Sequence, residues 1–146
     1  MELLKDFLLA KGYSKTKLKF TKTNHFEVRV RINGKKGRFI LDTGASNSCV
    51  GNEAIDLFSL EVEDSEIKAV GAGASNMDTK MSKANSFKIG KWRADKLPLV
   101  IFNLDHVKNG LISHGADPVD GIIGADILKY ANAIIDYEKK YLYLKL

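Results

Sequence analysis

The chain has 146 residues, of which 45% are hydrophobic and 28% are charged, and its net charge is +5 at pH 7. This length suits a single domain with its own core, and this composition argues against a disordered chain. The longest apolar runs are far too short to cross a bilayer, so we expect no membrane partner.

The start of the chain lacks the pattern of a signal peptide. Glu2, Lys5 and Asp6 interrupt its leucines, so no unbroken apolar segment follows a basic one. Cys49 is the single cysteine and cannot form a disulfide within the chain. Because a chain without disulfides agrees with a reducing compartment, the sequence predicts a cytoplasmic protein.

The first predicted element is a short amphipathic helix, because Leu3, Leu4, Phe7 and Leu8 fall on one helical face. From Leu18 the period changes to two, and apolar residues alternate with polar ones from Phe26 to Ile32. Asn33 and Gly34 then form a favoured hairpin turn, and the return strand contains Phe39 to Leu41.

The rest of the chain shows short strands separated by turn signals. Further strands are predicted at Ser48–Val50, Glu66–Val70, Met77–Ala84, Phe87–Ile89, Leu97–Phe102, Ala133–Tyr137 and Tyr141–Leu144. Short helices are predicted at Asn52–Phe58, Asp105–Ser113 and Ala125–Tyr130. The sequence therefore predicts one mainly antiparallel β domain over residues 21–146, preceded by a helix and a lead-in strand over residues 1–20.

The basic residues gather in two stretches, from Lys15 to Lys22 and from Lys35 to Arg38. Such stretches could attract nucleic acid. Lysines that alternate with apolar residues are typical of the solvent-facing side of a sheet, and no aromatic residues are interleaved with these. We therefore expect no nucleic-acid partner.

The segment richest in chemistry begins where an apolar strand, Phe39 to Leu41, ends in a carboxylate. Asp42 is followed by Thr43, Gly44, Ala45 and Ser46, a tight turn in which a glycine lets the backbone approach the carboxylate. A buried carboxylate must be hydrogen-bonded or neutralised, and Thr43 places a hydroxyl beside it. A plain turn in which Asp42 bonds its own backbone remains an alternative.

Two further segments accompany this turn. Ile122, Ile123 and Gly124 lead from a predicted strand into a predicted helix. Between the two motifs, Val70 to Asn76 forms a glycine-rich loop flanked by strands, which suits a mobile hairpin tip. It is a poor phosphate-binding loop, because no Lys-Ser/Thr pair follows it.

Taken in this order, the three segments resemble those of the retropepsin-like aspartic proteases, both retroviral and stand-alone bacterial. The resemblance covers residues 26 to 144 and implies a closed, barrel-like β domain with a flap hairpin. It implies that Asp42 is catalytic, in an active-site loop with Thr43, Gly44, Ala45 and Ser46. It also implies a flap containing Gly71, Ala72 and Gly73, and structural support from Ile122, Ile123 and Gly124.

The chain departs from the retroviral pattern in places. An arginine after the second motif and an acidic residue after the first are replaced by Ala125 and Ser46, which puts the retroviral manner of dimer contact in doubt. Extra residues from Leu104 to Asp117 resemble a helix that bacterial relatives insert.

The chemistry that the resemblance implies is hydrolysis of peptide bonds by an activated water between two carboxylates. One chain has one such motif, so a homodimer would supply the second aspartate, with no cofactor and no metal. The partners implied are a second copy of the chain and an extended peptide or protein substrate. A catalytically silent, dimeric peptide-binding module is the alternative, and an actin-like phosphate loop would need two larger lobes.

The remaining candidate residues have structural interpretations. We expect Cys49 to be a core residue, since no histidine stands close to it in sequence. His25, His106 and His114 lack the spacing of metal ligands and are expected at the surface. Trp92 could line a substrate pocket, but we expect it to be buried or packed on a hairpin, and we expect Asp126 to favour the start of its helix.

Overall fold

The computed structural model describes residues 3–64, 69–71, 74–77 and 79–146. Its helices are α1 (Leu4–Ala10), α2 (Ala54–Leu57), α3 (Asp105–Ser113) and α4 (Ala125–Tyr130). Its strands are β1 (Tyr13–Lys17), β2 (Lys19–Phe20), β3 (Phe26–Ile32), β4 (Lys35–Leu41), β5 (Cys49–Val50), β6 (Glu63–Asp64), β7 (Ala69–Gly71), β8 (Ala74–Met77), β9 (Lys80–Ile89), β10 (Trp92–Ile101), β11 (Gly121–Ile123), β12 (Ile134–Asp136) and β13 (Tyr141–Lys145).

Six of these strands close into a barrel in the order β3, β4, β11, β5, β10 and β9, with β9 pairing back to β3. Side chains that alternate along β3, from Val28 to Ile32, point into a core that also holds Phe87 and Ile89. This alternation is the period of two that the sequence shows, so the fold agrees with the predicted mainly β, barrel-like domain.

Most of the strand pairings are antiparallel, as expected, but β4 runs parallel to β11 and β5 runs parallel to β10. The strand-to-helix motif from Gly121 to Tyr130 therefore inserts its strand between β4 and β5. Short apolar segments do not reveal the direction of their neighbours, which is why the sequence did not predict these parallel pairings.

The predicted strands Met77–Ala84 and Phe87–Ile89 were wrong as separate elements, because β9 runs unbroken from Lys80 to Ile89. Asn85, which read as a break, is buried, and its amide donates to the carbonyl oxygens of Ser82 and Leu97. These bonds satisfy the polar side chain of Asn85 inside the sheet, where the pairing of β9 with β10 is irregular.

The ends of the chain are joined in a second sheet, in the order β1, β13, β12. The pairing of β1 with β13 matches Tyr13 to Lys145 and Lys17 to Tyr141. Helix α1 precedes this sheet, and of its apolar face only Leu8 is buried, whereas Leu3, Leu4 and Phe7 are exposed in the single chain.

Among the described residues, no helix is both long enough and apolar enough to traverse a lipid bilayer.

Candidate active site

Asp42 directly follows Leu41, the last residue of the barrel strand β4. Phe39 and Leu41 in β4 are buried, and their register partners in β11 are Gly121 and Ile123. The backbone N–H of Asp42 donates to the carbonyl oxygen of Ile123 at 3.0 Å, which continues the parallel pairing by one residue. The Asp42 side chain is exposed in the single chain.

The turn after Asp42 holds the carboxylate through the backbone. The N–H of Gly44 donates to Oδ1 of Asp42 at 2.9 Å, and the N–H of Ala45 donates to the Asp42 carbonyl at 3.1 Å. A Cβ placed on Gly44 would lie 3.3 Å from Oδ1 of Asp42, which is a tight contact. A plain turn without a catalytic role would also contain the hydrogen bond from the Gly44 N–H to Asp42. This bond alone therefore does not identify Asp42 as catalytic.

The second motif packs directly against this turn. A Cβ placed on Gly124 would lie 2.6 Å from the carbonyl oxygen of Ala45 and 3.0 Å from the carbonyl carbon of Asn47. The next residue, Ala125, donates its N–H to the Ala45 carbonyl at 2.7 Å. Only glycine fits at position 124, because both obstacles are backbone atoms that cannot rotate away.

A buried polar pair reinforces the same junction. Ser48 is fully buried, and its hydroxyl donates to Oδ1 of Asp126 at 2.7 Å while accepting from the N–H of Gly124 at 2.9 Å. The same carboxylate oxygen also accepts from the N–H of Ser48 at 2.9 Å and from the N–H of Ile127 at 2.8 Å. Asp126 thus joins the start of α4 to the loop that contains Asp42.

The sequence analysis missed this pair. Asp126 was assigned a role only at the start of α4, and its position in the first turn of that helix agrees with that role. Its partner in the first loop could not be inferred, since 78 positions separate Ser48 from Asp126. The available signal was a serine six residues after Asp42, directly before the two apolar residues of β5.

The other predicted loop residues occupy the same turn. Thr43 and Ser46 are exposed, and in the described part of the chain no hydrogen bond of the Thr43 hydroxyl is found. Ile122 and Ile123 are buried, with Ile122 in a small cluster that includes Cys49 and Leu104. The structure therefore brings Thr43, Ala45 and the second motif together around Asp42.

The predicted flap corresponds to a separate antiparallel pair, β7 and β8. Gly71 ends β7, and it pairs with Ala74 at the start of β8. Ala72 and Gly73, the other two residues predicted for the flap, lie outside the described residues.

The extra segment before the second motif contains α3, as predicted. Leu111 of this helix and Val119 beyond it pack on Ile40, two residues before Asp42. Near the middle of the helix, Lys108 forms an ion pair with Glu53 at 3.1 Å. The helix therefore covers the outer side of β4 next to the candidate site.

The remaining candidates do not contribute a reactive group to this site. Burial raises the pKa of the Cys49 thiol to about 12, and the nearby carboxylates of Asp126 and Asp42 act in the same direction. Trp92 is buried and packs edge-on against Tyr130, as expected. His25 and His114 are exposed, whereas His106 is half-buried and so departs from the predicted surface position.

Within the described residues, no group of three His, Cys, Asp or Glu side chains is arranged to hold a metal ion.

Comparison with known proteins places this geometry in a family. Residues 28–127 match the family model described as aspartyl protease. The Gag-Pol polyprotein of walleye dermal sarcoma virus is 26% identical over 129 residues, which are 88% of this chain. The chain spans about 7% of that polyprotein's length.

Solved structures share the fold. A retropepsin-like aspartic protease from Rickettsia conorii has a TM-score of 0.60 and 18% identity, covering 90% of each chain. EIAV protease complexed with the inhibitor HBY-793 has a TM-score of 0.53 and 20% identity, covering 75% of this chain and 90% of that one. The retroviral protease-like domain of Ddi1 from Leishmania major has a TM-score of 0.52 and 17% identity, covering 88% of each chain.

Because the family model covers more than half of its length, the chain belongs to the aspartyl protease family, and its barrel has the retropepsin-like fold.

Proposed function

We propose that this chain is one subunit of an aspartic endopeptidase in which Asp42 is the catalytic carboxylate. The observation that carries the proposal is the position of Asp42, which is exposed at the end of a buried strand and held by the Gly44 N–H. Around it, Gly124 and the Ser48–Asp126 pair fix the loop from beneath. A reacting group needs this combination of exposure and rigid support.

The reaction requires a second carboxylate. One ionised carboxylate takes a proton from the attacking water, while the protonated partner donates to the carbonyl oxygen of the substrate. The chain contains one Asp-Thr-Gly sequence, at residues 42–44. A two-fold axis that brings the Asp42 side chains of two copies together would complete the pair, so we propose that the active species is a homodimer.

Two like charges a few ångströms apart do not both ionise readily, so such a pair shares one proton. In our proposal each Asp42 can serve as acid or base, because symmetry makes the two equivalent until the substrate binds. No cofactor or metal takes part in this scheme.

We propose an extended peptide or protein segment as the substrate. It would lie between the loop that contains Asp42 and the β7–β8 hairpin, with backbone hydrogen bonds like those of an added strand. The single cysteine supports our further proposal that the protein works in a reducing compartment such as the cytoplasm.

Digestion of a mixed peptide library by wild-type protein and by Asp42→Asn tests the assignment. We expect the variant to keep its fold and lose cleavage, since an amide has the shape of the carboxyl group but cannot act as a base. Asp95→Asn, at an exposed position on β10, removes the same charge elsewhere and should leave cleavage unchanged.

The same experiment distinguishes an enzyme from a silent binding module. If wild-type protein binds library peptides without cleaving any of them, the module is the better description. Near-full cleavage by Asp42→Asn would exclude Asp42 as the catalytic group.

A further inference from the structure

Four cations form a row across the outside of the barrel. The strand registers place Lys36 of β4 opposite Arg31 of β3, Arg31 opposite Lys88 of β9, and Lys88 opposite Arg93 of β10. Directly opposed residues share a face of the sheet, and neighbouring strands lie about 4.8 Å apart, so the cationic row extends over roughly 14 Å.

All four side chains of the cationic row are exposed. None of them forms an ion pair with an acid among the residues that the structure describes. Asp95 lies two residues beyond Arg93 on β10, and it makes no ion pair with the row either.

A second row lies beside the first and is partly neutralised. Arg29 of β3 is opposite Arg38 of β4. Arg38 contacts the carboxylates of Glu27 at 2.7 Å and Asp117 at 3.2 Å, whereas Arg29 has no acidic partner in the described part of the chain. Arg29 therefore adds a fifth uncompensated charge to the same face.

Like charges placed directly opposite one another destabilise a sheet. Three such contacts occur in the cationic row alone, and an anion with several charges lying across the row would be attracted by all four side chains. A shallow groove of about 330 Å³ follows the row and is lined by Arg29, Arg31, Lys36 and Lys88 together with Val30 and Gly90.

The positive surface continues past Arg29 to a second groove. Besides Arg29 it is lined by three lysines, one buried acid and three apolar residues: Lys17, Lys19, Lys140, Glu27, Leu18, Phe20 and Val28. Phe20 is the register partner of the buried Phe26 and packs against the core, so its ring lies on the other face of the sheet from Arg29.

We propose that the cationic row and the adjoining groove bind nucleic acid, with the phosphates of one strand on Lys36, Arg31, Lys88 and Arg93. A polynucleotide brings one negative charge per nucleotide whatever its sequence, whereas a peptide would need an unusual run of acidic residues to match five cations. This binding is separate from peptide hydrolysis, and it departs from the expectation based on sequence, in which these residues were solely the solvent-facing side of a sheet.

Fluorescence anisotropy with labelled oligothymidylate tests the proposal on the full chain. Arg31→Gln/Lys88→Gln removes the two central charges of the row, and Lys5→Gln/Lys83→Gln removes two exposed lysines elsewhere, so that both variants have the same net charge. We expect the first variant to bind roughly tenfold more weakly at low salt, while the second stays within about twofold of wild type.

Salt dependence gives an independent readout. Each lost phosphate contact should lower the slope of log affinity against log salt by about 0.7, hence by about 1.4 for the first variant. If that variant fails to fold, as judged by circular dichroism, Lys36→Gln/Arg93→Gln takes its place.

Absent binding by wild-type protein, or an equal loss in both variants, would overturn the proposal. So would displacement of the oligonucleotide by polyglutamate at equal charge concentration, which would assign the face to acidic peptides. Association with anionic lipid vesicles but not with the oligonucleotide would likewise exclude nucleic acid.

Discussion

The hydroxyl oxygen of Ser48 lies 2.7 Å from Oδ1 of Asp126, and this bond ties the loop that carries Asp42 to the start of α4. The hydroxyl also accepts the N–H of Gly124. Because Ser48 is fully buried, no water can replace either contact. Ser48 and Asp126 thus hold the two motifs together within one chain. A rigid active-site loop depends on this connection.

Ser48→Ala should lower the free energy of unfolding by about 1–3 kcal/mol, because it leaves the buried N–H of Gly124 without an acceptor. Urea unfolding measures the change. Ser46→Ala is the matched control, since this serine is exposed in the same loop, and it should stay within about 0.5 kcal/mol of wild type. Equal stability of the two variants would contradict the role assigned to Ser48.

Gly124→Ala should destabilise the protein by about 1–3 kcal/mol and reduce peptide cleavage, because the new methyl group collides with the Ala45 carbonyl. Gly110→Ala provides the opposite control. A Cβ at Gly110 would meet nothing within 4 Å, and this residue lies inside α3. Alanine at this position should therefore raise the free energy of unfolding by about 0.5–1 kcal/mol. Thermal unfolding of both variants would reveal the expected difference in sign.

Much of the fold could be predicted from local sequence. The alternation from Phe26 to Ile32 and the turn at Asn33 and Gly34 predicted β3 and the hairpin, and α3 and α4 begin and end at the predicted residues. Each of these elements is encoded by neighbours along the chain, through periodicity or turn chemistry. Elements whose extent depends on distant partners were harder: β10 starts at Trp92 rather than Leu97 because it pairs with β9 from the hairpin turn onward.

The candidate site shows the same division. Asp42 and its glycine stand out in sequence because their chemistry is local. The bond between Ser48 and Asp126 and the cationic row depend on strand order and register, which a single sequence does not reveal. Lys36 and Lys88 are 52 positions apart, yet both are register partners of Arg31.

Cys49 should be inert in the folded protein. With its pKa raised to about 12 by burial, the thiol stays protonated at pH 8, so its reaction with a thiol reagent should be slow until denaturant is added. The same shift has a consequence for stability. The unfolded thiol ionises near its ordinary pKa of 9.0, so wild-type protein should lose stability between pH 9 and about 12, and Cys49→Ala should lose less over that range. Fast labelling of native protein would contradict the burial of this thiol.

Arg31→Gln should stabilise the isolated chain by about 0.2–1 kcal/mol at low salt, because Arg31 faces both Lys36 and Lys88. The gain should shrink as salt screens the charges. Arg38→Gln, on the neighbouring strand β4 opposite Arg29, should instead lower stability by about 1–3 kcal/mol, because Glu27 is buried and would lose its partner. Denaturant unfolding at low and high salt would show whether the two arginines differ in this way.

The last prediction concerns the shared site. If each active dimer needs two Asp42 side chains, excess Asp42→Asn subunits should suppress wild-type cleavage by forming mixed dimers. At a threefold excess of variant, random pairing leaves about one dimer in sixteen fully wild type, so activity per dimer should fall to about that level once subunits have exchanged. Asp95→Asn subunits added in the same excess should not suppress cleavage, because they carry an intact Asp42.

Dilution gives a second measurement of the shared site. Specific activity should fall with concentration as dimers dissociate. Cleavage by a species that sediments as a single chain, at a specific activity independent of concentration, would exclude the shared site even if Asp42 proved essential.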